Sequence, residues 1–134
     1  MPQDIIIMKC VGRTETVYFP DFESGPESAK IDTGAYGNAL HVDDISVQDG
    51  LLRFSIGGRP QVFSEYGTVV VKNSFGKRQK RYSIVAKMKM GKRTYRIHFS
   101  LTDRNKMKNP VLIGRRFLGK FDYMVDVKRK NIND

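Results

Sequence analysis

The chain has 134 residues, of which 24 are Lys or Arg and 14 are Asp or Glu, so its net charge at pH 7 is +10. This length suits one domain, residues 1–134, and is too short for two lobes with separate hydrophobic cores. The chain has one cysteine, Cys10, so it cannot form an internal disulfide, which suits the cytoplasm. The acid Asp4 precedes the short apolar run Ile5–Ile7, which argues against a signal peptide or a membrane segment.

Alternating apolar and polar residues predict β-strands along most of the chain. Short runs of this kind are TETVYFPDF, GLLRFSI and GTVVVK, and YSIVAKMKMGKRTYRIHFSL predicts two strands that turn at Gly91. Further turns are predicted at Gly25-Pro26, Asp49-Gly50, Gly57-Gly58, Ser74-Phe75-Gly76 and Asn109-Pro110. The pattern is typical of a mostly-β domain, a small barrel or sandwich.

One short helix is predicted near the end of the chain, in RRFLGKF after Gly114, with Phe117 and Leu118 facing inward. The polar segment KRKNIND that follows is expected to fray.

Positive charge is concentrated between residues 72 and 96, which contain ten Lys or Arg and no acid. Such a stretch attracts anions, so an acidic peptide or a nucleic acid is the expected partner. Five of these cations lie in KNSFGKRQKR, Lys72–Arg81, although an ordinary solvated hairpin would carry such charge as well.

The sequence Ile31-Asp32-Thr33-Gly34-Ala35 is a candidate catalytic loop. A carboxylate that acts as a base needs a tight turn to present it, a glycine that lets substrate backbone approach, and a hydroxyl that can fix the loop. The tripeptide alone is weak evidence, because a polar turn between two strands would look the same.

A second element, PVLIGRRFLGKFDYMVDV, lies late in the chain. It predicts an apolar strand, Val111–Ile113, that runs through Gly114 and Arg115 into an amphipathic turn. The early aspartate loop and this late corner together resemble the retropepsin-like aspartic proteases, which carry Asp-Thr-Gly-Ala first and an apolar-apolar-Gly-Arg element afterwards.

The resemblance is closer to one bacterial branch of these proteases, labelled ATP-dependent zinc proteases, and covers about residues 11–127. The branch reads G-x-x-E-x-V-x-x-P-D, AKIDTGA, LTDR-x-x-M, P-x-L-I-GR-x-x-L and VD in this order. The matching residues here are Gly12, Glu15, Val17, Pro20 and Asp21, then Ala29–Ala35, Leu101–Arg104 with Met107, Pro110, Leu112–Arg115, Leu118 and Val125-Asp126.

The resemblance implies a single-lobe acid protease barrel and a peptidase, with Asp32, Thr33 and Gly34 as catalytic residues. Acid protease chemistry uses two carboxylates that share a proton, and this chain offers one such aspartate. A homodimer with twofold symmetry would supply the second carboxylate from a second copy of Asp32.

The resemblance also assigns a flap to the hairpin between Val69 and Ile84, and structural support to Gly114 and Arg115. The partner of Arg115 stays open between Asp43, Asp44 and a backbone carbonyl. The expected substrate-binding residues are Ala35, Tyr36, Lys72, Ser74, Phe75, Gly76, Lys77, Arg78 and Arg81.

A basic flap favours peptides rich in glutamate or aspartate. Members of the branch resemble companions of ATP-grasp glutamate ligases, which makes a poly-glutamate tail a candidate substrate. Many relatives continue Asp-Thr-Gly-Ala with Arg-Thr-Ser, whereas this chain has Tyr36-Gly37-Asn38, a difference expected to change the lining of the nearest substrate pocket.

No cofactor or metal is expected. His41, His98 and Cys10 are scattered soft ligands without a zinc-binding spacing, and Gly57-Gly58 does not fit a phosphate-binding loop.

Two other functions fit the sequence. The chain could be a β-barrel that binds nucleic acid through its basic hairpin, with Tyr66, Phe75, Tyr82 and Tyr95 as stacking surfaces. It could also be a retropepsin-like scaffold that binds acidic peptide without cleaving it.

Overall fold

A computed structural model describes residues 9–22, 25–72, 75–103 and 109–134. Within these residues the strands and the helix, in chain order, are β1 Lys9–Val11, β2 Thr14–Tyr18, β3 Glu27–Ile31, β4 Ala39–Gln48, β5 Leu51–Ile56, β6 Arg59–Phe63, β7 Gly67–Lys72, β8 Arg78–Met90, β9 Arg93–Asp103, β10 Val111–Ile113, α1 Arg115–Lys120 and β11 Tyr123–Val125.

The longest hairpin is formed by β8 and β9, as the alternating pattern predicted. Met90 pairs with Arg93 across the turn, and Gly91 has the positive φ of 61° that this tight connection requires. Every second residue of β8 from Ile84 to Met90 is buried, so one face of the hairpin packs on the core.

Strand β10 joins the two ends of the main sheet. It pairs in parallel with β3 and antiparallel with β4, so that the pairings β10-β3-β2-β8-β9-β4 return to β10. Two of these seams, β2 with β8 and β10 with β4, consist of only two residue pairs each, and β5, β6 and β7 extend outside the ring. The sheet is therefore not a uniform closed barrel, but the prediction of a mostly-β fold with one short helix is confirmed.

Helix α1 packs through Phe117 and Leu118, which are both buried as predicted. The Phe117 ring lies 4.9 Å from the ring of Tyr95 on β9 and 5.7 Å from that of Tyr123 on β11. This aromatic cluster fixes the helix against the main sheet, since buried aromatic pairs contribute beyond the area that they bury.

The prediction that the polar end of the chain frays is wrong. Residues 126–134, called the strap below, lie along β1 and β2, where Val11 accepts a hydrogen bond from the Asp126 amide at 2.8 Å. Gly12 is packed so closely that a β-carbon there would lie 2.8 Å from the carbonyl carbon of Arg129.

A fully buried carboxylate fastens the strap. Glu15 is 0% exposed and accepts hydrogen bonds from the backbone amides of Gly12 at 2.7 Å, Ile132 at 3.1 Å and Asn133 at 3.0 Å. The Asn133 side chain donates a fourth at 3.1 Å and a further one to the Cys10 carbonyl at 2.9 Å. These donors compensate the burial of a charged group, which would otherwise be strongly unfavourable.

In the described part of the chain, no helix has the length and apolar character needed to cross a membrane.

Candidate active site

The loop between β3 and β4 presents Asp32 on a tight turn. The Asp32 amide donates to the Ile113 carbonyl of β10 at 2.8 Å, which fixes the start of the loop. The Gly34 amide donates to the Asp32 carboxylate at 3.0 Å, and the Ala35 amide donates to the Asp32 carbonyl at 3.2 Å. The carboxylate is therefore held by its own loop rather than left to rotate freely.

The corner between β10 and α1 supports the middle of this loop. The Arg115 amide donates to the Ala35 carbonyl at 2.8 Å, and the Arg116 amide donates to the Tyr36 carbonyl at 3.0 Å. The Arg115 guanidinium donates to the Gly34 carbonyl at 3.2 Å. Of the partners that the sequence left open for Arg115, the structure shows the backbone carbonyl.

Gly114 permits this contact because it has no side chain. A β-carbon at this position would lie 2.7 Å from the Tyr36 carbonyl oxygen and closer still to that of Gly37. The glycine is thus required by the close approach of two backbone segments and not by its φ, which is −96°.

Asn38 closes the loop, a role that sequence reasoning missed. Its side-chain oxygen accepts from the Gly114 amide at 3.0 Å, and its side-chain nitrogen donates to the His98 carbonyl at 3.1 Å. Its own carbonyl accepts from the Ser100 amide at 3.0 Å. The signal available in the sequence was an amide side chain, which can accept and donate at once, placed directly before a strand.

Tyr36 is the exposed residue of the loop. Its side chain is 59% exposed, and the guanidinium carbons of Arg115 and Arg116 lie 5.4 and 5.8 Å from the centre of its ring. Both distances fall in the range of cation–π interactions.

The basic hairpin predicted as a flap is formed by β7 and β8. At its base Gly67 pairs with Ser83, which pairs in turn with Ser100, the residue that donates to Asn38. The base of the hairpin thus lies one strand away from the Asp32 loop. Beyond the base lie Lys72, Phe75, Gly76, Lys77 and Arg78, all of them exposed, whereas Ser74 falls outside the described residues.

Arg81, on the same hairpin, acts electrostatically on His41 of β4. Burial lowers the pKa of His41 below its usual value, and the positive charge of Arg81 lowers it further, against a smaller opposite effect of the Asp103 backbone. Both ring nitrogens of His41 are buried, and neither has a hydrogen-bond partner among the described residues.

Other predicted ligands and stacking residues are not brought together. His41, His98 and Cys10 lie on β4, β9 and β1, and the described residues contain no group of three His, Cys, Asp or Glu suited to a metal ion. Tyr95, considered as a stacking surface for nucleic acid, is only 8% exposed.

Comparisons with known proteins agree with this architecture. A family model described as RimB-like, retropepsin-like aspartic endopeptidase RimB, matches residues 60–134, more than half of the chain, including the corner that supports the Asp32 loop. The crystal structure of Lpg0085, a protein of unknown function from Legionella pneumophila, superimposes with a TM-score of 0.74 at 27% identity and covers 94% of this chain and 98% of that one.

A curated relative, "Probable alpha-L-glutamate ligase" of Desulfotalea psychrophila, is 28% identical over 127 residues, 86% of this chain. The match spans 27% of the length of that relative. The family model confirms the resemblance found in the sequence, and the chain belongs to the RimB-like family of retropepsin-like aspartic endopeptidases.

Proposed function

We propose that the protein is an aspartic-type peptidase that works as a homodimer. The observation that carries this proposal is the Asp32 loop, whose carboxylate accepts from the Gly34 amide while the corner at Gly114 and Arg115 holds the loop from behind. Such support gives a catalytic group a fixed position. Much of the rate enhancement of enzymes comes from groups that are positioned in advance of the reaction.

The chemistry requires a second carboxylate, since one aspartate cannot act as base and acid in the same step. Ionised Asp32 takes a proton from a water molecule, whose oxygen attacks the carbonyl carbon of the peptide bond, while the partner subunit's Asp32 donates its proton to the carbonyl oxygen. When the resulting diol collapses, the C–N bond breaks, the nitrogen receives a proton from the first carboxyl, and one diol hydroxyl returns its proton to the partner subunit's Asp32. Both products leave, and the pair again shares one proton.

Neighbouring residues would position the reactants. In this proposal Thr33 braces the loops of the two subunits against each other, and Gly34 and Ala35 contact substrate backbone. The described hairpin residues Lys72 and Phe75–Arg81 would lie over the bound peptide.

Acidic peptides are the proposed substrates, with glutamate-rich chains foremost. The exposed cations of the β7–β8 hairpin would attract such chains and pair with their carboxylates. The name of the curated relative, a ligase for glutamate, supports the same choice, because an enzyme that removes glutamates and one that adds them handle the same product.

The test incubates the parent protein and the Asp32→Asn variant with α- and γ-linked glutamate peptides. Mass spectrometry detects the cleavage products. The substitution should abolish cleavage and leave the dimer intact in sedimentation. Asp49→Asn is the matched control, because Asp49 lies in an exposed turn with a φ of 53° that asparagine also adopts. Turnover retained by Asp32→Asn, or full activity in a strictly monomeric protein, would contradict the proposal.

Binding of nucleic acid is the weaker alternative. Tyr95 is buried, and the partly buried Tyr66 and Tyr82 pack on each other with ring centres 5.9 Å apart, whereas Phe75 is 88% exposed. Binding to single-stranded DNA that falls steeply with salt and does not depend on Asp32 would favour it.

A further inference from the structure

Two arginines at the start of α1 face one exposed aromatic ring. The guanidinium carbons of Arg115 and Arg116 lie 5.4 and 5.8 Å from the centre of the Tyr36 ring. All three side chains are exposed to solvent.

Helix stability does not explain this arrangement. Cations are disfavoured in the first turn of a helix, by about 0.3–1 kcal/mol each, because the free amides there already carry positive charge. Helix α1 has no acid in its first turn, and its N-cap, Gly114, offers no side-chain acceptor.

Arg115 has a structural role that accounts for its position, since it donates to the Gly34 carbonyl. The Arg116 guanidinium has no comparable partner: among the described residues no carboxylate pairs with it, and it lies over the Tyr36 ring. A guanidinium held against an aromatic face keeps its donors free for a planar anion.

These residues belong to the same loop structure as Asp32. The Arg116 amide donates to the Tyr36 carbonyl, and Tyr36 follows Asp32 by four positions. A group bound at Arg116 would therefore lie beside the residue that is proposed to cleave the peptide.

We propose that Tyr36 and Arg116, with Arg115 behind them, form a subsite that binds the carboxylate of an acidic substrate side chain next to the cleaved bond. The inference rests on the proposed peptidase function and assigns its preference for acidic peptides to this loop rather than to the hairpin alone. Arg116 would supply two parallel donors to the carboxylate, and the ring of Tyr36 would hold the guanidinium plane.

The test measures binding separately from cleavage. Fluorescein-labelled tetraglutamate and tetraglutamine are titrated with the Asp32→Asn protein, and fluorescence anisotropy is recorded at an ionic strength of about 0.15 M, where distant charges are largely screened. Adding Arg116→Gln should weaken tetraglutamate binding about tenfold, the loss of a charge-assisted hydrogen bond, and leave tetraglutamine unaffected.

Two kinds of control make the result specific. Arg53→Gln removes one exposed cation from β5, outside the loop, and should change neither affinity. Tyr36→Phe should bind tetraglutamate as the parent does, whereas Tyr36→Ala should weaken it, because the ring face and not the hydroxyl holds Arg116.

The subsite is overturned if tetraglutamate does not bind, if Arg116→Gln and Arg53→Gln act equally, or if both peptides lose affinity together. It is also overturned if Arg116→Gln shifts the monomer–dimer equilibrium in sedimentation without changing peptide discrimination, since Arg116 would then belong to a contact between copies. If tetraglutamate binding depends on Arg116 but the protein cleaves no peptide, the subsite is confirmed and the proposed peptidase function is refuted.

Discussion

Asn38 and Gly114 are joined by a hydrogen bond of 3.0 Å from the glycine amide to the asparagine side chain. This bond connects the last residue of the Asp32 loop to the residue that opens α1. Because the Asn38 side chain also donates to the His98 carbonyl, one amide group ties together the loop, the helix corner and β9.

Replacing Asn38 should loosen the loop. Asn38→Ala leaves the Gly114 amide without its acceptor, which we expect to lower the free energy of unfolding by about 1–3 kcal/mol and to reduce peptide turnover. Urea unfolding and initial rates measure the two effects. Asn109→Ala, which removes an exposed hydrogen bond to Ser28, should have a smaller effect on both. An Asn38→Ala protein with the stability and turnover of the parent would show that this contact is dispensable.

Gly114→Ala should disrupt the site by steric contact. The added methyl group collides with backbone oxygens of Tyr36 and Gly37, so the loop and the helix corner must separate. We expect turnover to fall at least about tenfold, in line with the sensitivity of catalysis to small displacements. Gly119→Ala is the matched control, since a β-carbon there meets nothing within 4 Å, and it should stabilise α1 by about 0.5–1 kcal/mol. Equal behaviour of the two variants would refute the steric argument.

Glu15→Gln should release the strap. Glutamine keeps only one acceptor oxygen, so either the amides of Gly12 and Ile132 or the two donors of Asn133 lose their partner. We expect a loss of about 2–4 kcal/mol in the free energy of unfolding, measured by urea titration. Glu65→Gln, at an exposed position between β6 and β7, should change it little. A small effect at Glu15 would mean that the buried carboxylate is replaceable.

His41 should make stability depend on pH. Its pKa in the folded protein lies below the ordinary value of 6.5, because the ring is buried and Arg81 is near. The unfolded chain therefore takes up the proton first as pH falls through 6.5, and folding weakens from that pH downward. In urea titrations between pH 7.5 and about 5, His41→Leu should lose less stability than the parent. His98→Leu, at the exposed histidine of β9, should follow the parent, and a parallel course of all three proteins would exclude His41 as the source.

Local signals predicted much of the fold. The turns at Asp49-Gly50, Gly57-Gly58 and Gly91 all contain glycines with positive φ, between 57° and 76°. Such glycines mark hairpins because other residues rarely adopt that conformation. The strand alternation around them then fixed which face is buried, and Phe117 and Leu118 identified the buried side of the helix.

The missed features depend on pairs of residues distant in sequence. Glu15 binds amides 117 and 118 positions away, and Asn38 accepts from a residue 76 positions away. A polar segment such as residues 128–134 looks solvated unless its buried acceptor is known. The sequence does not determine the partner of Arg115 for the same reason, since any residue can offer a backbone carbonyl.

The support of Asp32 by β10 and α1 also has a consequence for biosynthesis. The ribosome makes Asp32 early, but the carbonyl of Ile113 and the corner at Gly114 that position it emerge some eighty residues later. Until that segment has left the ribosome, the nascent chain contains Asp32 without the contacts that fix its loop. Premature termination before residue 111 would therefore give a product in which the Asp32 loop lacks this support, and any activity that depends on the loop would require almost the whole chain.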